Sequence, residues 1–150
     1  MKKLLSILLV SVLLIGCSKD RVLIDELTNK GTEESPIMYS EKGLFNGIGF
    51  DVYKDGQLKF ENNYTDGEKD GSFKKWYENG QLKSERNWKD GNKDGLWKEW
   101  YENGQLKYEE NFKNGREDGS QKGWLINGEL NYESNWKDGN IDGLRKINYK

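Results

Sequence analysis

Four glutamate carboxylates are the first candidates for chemistry in this sequence. Glu61, Glu85, Glu109 and Glu133 are spaced 24 residues apart, and the sequence contains no histidine. General acid and base catalysis needs groups in unlike environments around a single substrate. A glutamate that recurs with a fixed period has similar surroundings each time. The pattern therefore predicts a protein that is not an enzyme and needs no cofactor.

Aspartates followed by glycine also recur, and their oxygens are of the type that calcium prefers. The segment from Asp66 to Gly71 reads Asp-Gly-Glu-Lys-Asp-Gly, and related segments occupy 90–95, 114–119 and 138–143. This spacing matches neither the helix-flanked calcium loop nor the nonapeptide repeat of β-rolls. Asp-Gly is common in turns. We therefore expect turns here and no metal site.

Aromatic side chains are the remaining groups that could recognise a ligand, because exposed aromatic patches mark interaction sites. The candidate partner-binding residues are Trp76, Trp100, Trp124, Tyr77, Tyr101, Trp97, Trp88 and Trp136. A structural role is the alternative for the row of Trp76, Trp100 and Trp124. In that interpretation Lys83 and Lys107 flank the row and cover it through stem packing and cation–π contacts.

The single cysteine, Cys17, indicates a covalent modification. It follows Lys2, Lys3 and an apolar run from Leu4 to Ile15, which is the order of regions in a signal peptide. The run is shorter than the roughly 20 residues of a membrane-spanning helix. Leu14-Ile15-Gly16-Cys17 resembles the lipobox of bacterial lipoproteins.

This resemblance implies that residues 1–16 are removed and that the Cys17 thiol carries a fatty acid such as palmitate. The mature chain would then be anchored in the bacterial cell envelope, at the outer membrane if the organism has two membranes. The formal net charge of −2 gives no electrostatic reason to bind nucleic acid. The expected contacts are therefore a membrane, through the lipid, and a protein or a carbohydrate.

A period of 24 residues organises the rest of the chain. The repeats are 47–70, 71–94, 95–118 and 119–142, with a partial copy at 143–150. Residues 17–36 are interpreted as a lipidated N-terminus and tether, with one short element from Val22 to Leu27. Residues 37–150 are interpreted as the β-hairpin repeat domain.

Two turn signals divide each repeat into strands. An Asn-Gly pair such as Asn103-Gly104 predicts a two-residue type I′ turn. The segment from Asp90 to Gly95 and its equivalents predict a six-residue loop. The predicted fold is therefore all-β: an elongated single-layer antiparallel β-meander of 24-residue hairpin repeats, preceded by a signal peptide and a short tether.

This turn assignment fixes a register that the charges support. It places Trp100 opposite Lys107 and Tyr101 opposite Leu106. It also aligns a ladder of alternating charge: Lys74, Glu85, Lys98, Glu109, Lys122, Glu133 and Lys146. One face of the predicted sheet carries aromatic and leucine side chains. The other face carries the ladder, the tryptophan row and the asparagines Asn63, Asn87, Asn111 and Asn135.

The repeat resembles the MORN-repeat variant, as found in the YwqK family of proteins labelled antitoxins. The resemblance covers residues 47–150 and rests on a recurring pattern, seen in Gly71, Trp76-Tyr77, Asn79-Gly80, Leu82, Trp88, Asp90-Gly91 and Asp94-Gly95. It implies an extended antiparallel meander that binds a protein. The fourth copy departs from the pattern at Gln121, Leu125 and Ile126.

The functional hypothesis is a non-catalytic, lipid-anchored repeat protein that binds a protein partner through its sheet surface, as an antitoxin or immunity protein does with a toxin. Two alternatives remain open. One is an envelope carbohydrate-binding module that uses the Trp and Tyr rows. The other is a structural spacer that needs only length.

Replacing Cys17 tests the lipid anchor. Because serine removes the thiol to which a fatty acid would be attached, we expect the Cys17→Ser protein to leave the membrane fraction and appear with soluble envelope proteins on an immunoblot. Retention of the variant in washed membranes would show that the lipobox interpretation is wrong.

Overall fold

The computed structural model describes residues 19–32, 36–143 and 146–147. The predicted signal peptide, Cys17 and the rest of the partial fifth copy lie outside the described residues. Among those described, no helix has the length and apolar character needed to cross a membrane.

The described chain is almost entirely β-strand, with one short 3-10 helix. In chain order the elements are β1 (Arg21–Leu23), η1 (Ile24–Glu26), β2 (Thr28–Asn29), β3 (Met38–Ser40), β4 (Gly43–Leu44), β5 (Gly47–Val52), β6 (Leu58–Thr65), β7 (Glu68–Trp76), β8 (Leu82–Lys89), β9 (Asn92–Lys93), β10 (Gly95–Trp100), β11 (Leu106–Lys113), β12 (Arg116–Trp124), β13 (Leu130–Lys137), β14 (Asn140–Ile141) and β15 (Lys146–Ile147).

These strands form one open sheet and one small one. The main sheet has 12 strands, and successive strands from β5 onward pair antiparallel. Both β9 and β10 pair with β8, and both β14 and β15 pair with β13. Each of these pairs of segments therefore takes the place of one long strand such as β7 or β12. The predicted all-β meander is confirmed.

The predicted ladder of alternating charge is confirmed in the backbone register. Lys98 lies opposite Glu109 in its own hairpin and opposite Glu85 in the preceding one. The ion pairs within hairpins join Lys74 Nζ to Glu85 Oε1 at 3.5 Å, Lys98 Nζ to Glu109 Oε2 at 3.5 Å and Lys122 Nζ to Glu133 Oε1 at 3.1 Å. Each cross-strand pair of this kind contributes about 0.2–1 kcal/mol. A register slip of one residue would move every charge to the wrong face.

The type I′ prediction for the Asn-Gly pairs is wrong. In the third repeat Gly104 N–H donates to Tyr101 O at 2.9 Å and Tyr101 N–H donates to Gln105 O at 2.8 Å. Gly104 has a φ of 84°, whereas Asn103 is not among the residues with positive φ. Instead, Asn103 Oδ1 accepts the N–H of Gln105 at 3.1 Å. The side chain thus caps a longer turn that needs a left-handed residue only at the glycine.

This longer turn changes the predicted pairing beside it. Trp100 lies opposite Leu106, and a bulge separates this pair from the pair Glu99 and Tyr108. The predicted pairs of Trp100 with Lys107 and of Tyr101 with Leu106 are therefore wrong by one residue. Lys107 is the extra residue of the bulge.

The type I′ turn occurs at the other connection. Asn114 and Gly115 have φ values of 49° and 83°, and Lys113 pairs directly with Arg116 across them. Asp66, Asp90 and Asp138 also have positive φ, each before a glycine with positive φ. The predicted six-residue loop is thus a two-residue turn followed by strand.

A second bulge accounts for the rest of that connection. The register of β11 against β12 shifts between Glu110 and Phe112, so that Asn111 faces extra residues of β12. Its side-chain Nδ2 donates to the carbonyl of Ser120 at 3.2 Å. Asn63 and Asn87 donate in the same way to Ser72 O and Leu96 O, both at 2.8 Å. The asparagine row therefore satisfies backbone groups that the bulges release.

Residues before Gly47 cover one end of the repeat array. β1 pairs in parallel with β5, while β2, β3 and β4 form the small sheet. Leu27, Met38, Phe45 and Tyr64 form a buried cluster between these elements and the first repeat. The tether interpretation is therefore replaced over residues 19–29 by an ordered cap. No local pattern predicts the pairing of β1 with β5, because a parallel pairing joins segments distant in the chain.

Alanine substitution tests the turn assignment. An L-residue other than glycine or asparagine in the left-handed region costs about 1–2 kcal/mol, so we expect Asn114→Ala to lower the free energy of unfolding by about that amount in urea denaturation. Glu102→Ala, in the other turn and at ordinary φ, is the control and should change stability by less than about 0.5 kcal/mol. Equal losses would contradict the assignment.

Candidate binding surfaces

Tyrosine hydroxyls connect each repeat to the next. Tyr53 Oη donates to Trp76 O at 2.7 Å, Tyr77 Oη to Trp100 O at 2.8 Å and Tyr101 Oη to Trp124 O at 2.9 Å. Leu125 stands at the equivalent position of the fourth repeat and has no hydroxyl. The row of inter-repeat hydrogen bonds therefore cannot extend beyond that repeat.

The lysines predicted to lie beside the tryptophan row contact tyrosine rings. The ammonium of Lys83 lies 5.0 Å from the ring centroid of Tyr77, and that of Lys107 lies 5.9 Å from the ring centroid of Tyr101. Lys107 Nζ also lies 3.3 Å from Glu99 Oε1. The two lysines thus make their cation–π contacts with the tyrosines, not with the tryptophan row as predicted. The bulge at Lys107 is the cause, since it turns the side chain toward Glu99 and Tyr101.

Trp88 and Trp97 belong to an aromatic stack inside the array. The ring centroid of Trp97 lies 5.3 Å from that of Trp88 and 4.7 Å from that of Phe112. Lys93 Nζ lies 4.6 Å from the Trp97 centroid and 4.5 Å from the Phe112 centroid. The indole N–H of Trp97 donates to Asn87 O at 3.0 Å. These rings are used in packing between repeats, so they are weaker candidates for an open platform than the sequence suggested.

Further cations cover the same face. Lys69 Nζ lies 4.5 Å from the Trp88 centroid, and the Arg86 guanidinium lies 5.0 Å from the Trp97 centroid. Burial lowers the pKa of Lys69, and the nearby charge of Arg86 lowers it further. The face predicted to be aromatic and leucine-rich is therefore an alternating layer of rings and cations.

A polar network replaces the aromatic stack at the fourth repeat. Gln121 Nε2 donates to Tyr108 Oη at 2.7 Å and to Glu110 Oε1 at 2.9 Å. Gln121 Oε1 accepts from Ser134 Oγ at 3.0 Å and from the indole N–H of Trp136 at 2.9 Å. Trp136 is therefore held by hydrogen bonds rather than by ring stacking.

Two acidic groups of this network titrate abnormally. Glu110 is only 7% exposed, and burial raises its pKa. Burial and the hydrogen bond with Glu110 raise the pKa of Tyr108. Both groups therefore give up their protons at a higher pH than they would in water.

Large apolar side chains are exposed mainly in the fourth repeat. Ile126 is 62% exposed, Ile141 52% and Leu125 38%. The positions equivalent to Ile126 hold Lys54, Glu78 and Glu102. At positions 126 and 141 the fourth repeat thus presents apolar groups where the earlier repeats present charges.

Sequence reasoning did not place these residues in a candidate site, although it noted Leu125 and Ile126 as departures from the pattern. Ile141, Gly123 and Asn131 also depart from it. Residues that depart from the repeat pattern therefore indicate these exposed side chains better than the recurring aromatic residues do. Within the part of the chain that the structure describes, no group of acidic residues could hold a metal ion.

Comparison with known proteins identifies the repeat type. Residues 69–90 and 93–114 match the family model of the MORN repeat variant. The matched segments lie in the second and third repeats, and they begin 24 residues apart. The chain therefore carries two adjacent MORN repeat variant units within its sheet. No curated protein matches the chain significantly in sequence.

Replacing Glu110 tests the polar network. Because the folded protein holds a proton on Glu110 above the ordinary pKa of 4.5, its stability falls as the pH rises from that value through the raised folded pKa. Glu110→Gln keeps the shape and cannot ionise. We expect it to raise the melting temperature at pH 7, with the gain vanishing in acid below the unfolded pKa.

Glu109→Gln is the matched control, because Glu109 lies next in sequence and pairs with Lys98 across the sheet. It should not stabilise the protein at neutral pH. A lower melting temperature for Glu110→Gln at pH 7 would contradict a raised pKa at this position.

Proposed function

We propose that this chain is a non-catalytic, lipid-anchored scaffold that binds a protein partner at its fourth repeat. The observation that carries the proposal is the exposure of Leu125 and Ile126, which are neighbours in the turn between β12 and β13. Removing apolar surface from water stabilises an association by about 25 cal/mol per Å² before the entropic costs of binding are counted. Two adjacent exposed aliphatic side chains at one margin of the sheet therefore favour a protein contact.

The position of this repeat supports the proposal. The proposed anchor at Cys17 precedes β1, which lies at one end of the main sheet, whereas β13 and β14 lie at the other end. With neighbouring strands about 4.8 Å apart, the two ends are separated by about 40 Å. A lipid at the first end would hold the apolar repeat clear of the bilayer surface, where a partner can reach it.

A toxin is the narrower form of this proposal, taken from the resemblance to proteins labelled antitoxins. A structural spacer is the competing hypothesis. A spacer gains nothing from exposed aliphatic groups, which favour aggregation unless a partner covers them. The exposure of Ile126 therefore favours binding over simple length.

A photo-crosslinking residue at position 126 tests the proposal in native envelopes. We expect it to trap one defined protein, which mass spectrometry would identify, while the same residue at position 102 should trap little. Position 102 is the equivalent site of the third repeat. Identification of a toxin would support the antitoxin form, and equal or absent trapping at both positions would contradict the proposal.

The variant Ile126→Glu tests whether this side chain contributes to partner binding. It introduces the residue that the second and third repeats carry at this position, so the fold should be retained. We expect it to weaken partner binding at least about tenfold, because a charge replaces a buried apolar contact at the interface. Unchanged binding would place the contact elsewhere.

A further inference from the structure

A cleft of about 370 Å³ lies between the third and fourth repeats. Its walls include the side chains of Tyr101, Tyr108, Trp124 and Tyr132. Small-molecule sites in proteins occupy about 300–1,000 Å³ and combine aromatic walls with a few polar groups. The cleft is at the small end of that range and is open to solvent on one side of the sheet.

Two departures from the repeat create this cleft. Gly123 stands where the second and third repeats have Lys75 and Glu99, and Asn131 stands where the third repeat has Lys107. In the third repeat Glu99 and Lys107 form an ion pair at 3.3 Å. The fourth repeat lacks both charged side chains.

Gly123 is required by close packing of an aromatic ring. A Cβ atom at this position would lie 2.2 Å from Tyr132 Cε1, which no real contact allows. The ring of Tyr132 therefore rests on the backbone of Gly123. Tyr108 occupies the equivalent position of the third repeat, whereas the second repeat has Ser84 there. Two neighbouring repeats with tyrosine at this position occur only here among the four repeats.

The polar groups of the cleft indicate the charge of its ligand. Lys107 and Glu99 neutralise one another across 3.3 Å, and Lys107 already places a cation 5.9 Å from the Tyr101 ring centroid. The pair is close to neutral as a whole, so it gives neither a cation nor an anion a large net attraction. Asn131 adds an amide that can both donate and accept.

We propose that this cleft binds one or two units of a neutral carbohydrate. A pyranose ring has an apolar face that suits aromatic stacking, and its hydroxyls suit the amide of Asn131 and the charged pair of Glu99 and Lys107. The proposed sugar site has aromatic and polar walls, whereas the proposed protein contact uses the aliphatic side chain of Ile126. The sugar proposal therefore does not depend on the proposed protein partner.

Titration with neutral disaccharides tests the assignment. The Cys17→Ser chain would be labelled with nitrogen-15 and titrated with cellobiose, maltose and N,N′-diacetylchitobiose up to about 20 mM, where even weak millimolar binding is visible. We expect at least one sugar to shift the backbone amides of Gly123 and Trp124 and the indole of Trp124 saturably. No shift with any of the three would overturn the proposal.

Asn131→Lys is the decisive variant, because it restores the lysine that the first three repeats carry at this position and should preserve the fold. We expect it to weaken sugar binding at least about tenfold by filling the cleft. Lys83→Asn, at the same position of the second repeat, is the control and should leave binding unchanged.

Two results would overturn the carbohydrate assignment even if the signals of the cleft move. One is sugar binding that Asn131→Lys leaves intact, which would place the site elsewhere. The other is a response to choline chloride without a response to the sugars, which would make the cleft a cation site instead.

Discussion

Hydrogen bonds between consecutive repeats are the constraint on which this molecule depends. The hydroxyls of Tyr53, Tyr77 and Tyr101 each reach a backbone carbonyl 23 residues later. The glycines of the type I′ turns donate to carbonyls 22 residues earlier, as Gly115 does to Lys93. The two kinds of contact lie at the two lateral margins of the sheet. A single-layer sheet has little core. The hydrogen bonds at its two margins therefore set the distance between repeats, and the stacked rings and cations adopt that distance.

The same constraint explains why function is expected at departures from the repeat. A side chain that recurs in every copy is already committed to its neighbours, as Trp97 is to Trp88 and Phe112. Gly123, Ile126 and Asn131 differ from their equivalents in the earlier repeats, so they lie outside this pattern of shared contacts. The surface on which they lie is therefore the one we propose for recognition.

The period, the all-β fold and the Lys-Glu register were predictable, because each rests on residues that recur in phase. The two turn types could not be assigned correctly from dipeptides. Asn103-Gly104 and Asn114-Gly115 read alike in sequence, but Asn114 has a positive φ, whereas Asn103 caps its turn through Oδ1 on the N–H of Gln105. The N-terminal cap was missed since β1 pairs with a strand about 25 residues away and in parallel, which no local pattern signals.

The limited reach of the inter-repeat contacts has an evolutionary consequence. The tyrosine-hydroxyl contacts, and glycine contacts such as that of Gly115 with Lys93, join a repeat only to its immediate neighbour. Duplicating one complete unit between the second and third repeats would therefore preserve all of them while adding two strands, or about 10 Å. Arrays of different length can arise by recombination without redesign of either terminus, so the distance between the proposed anchor and the proposed binding surface can change in fixed steps.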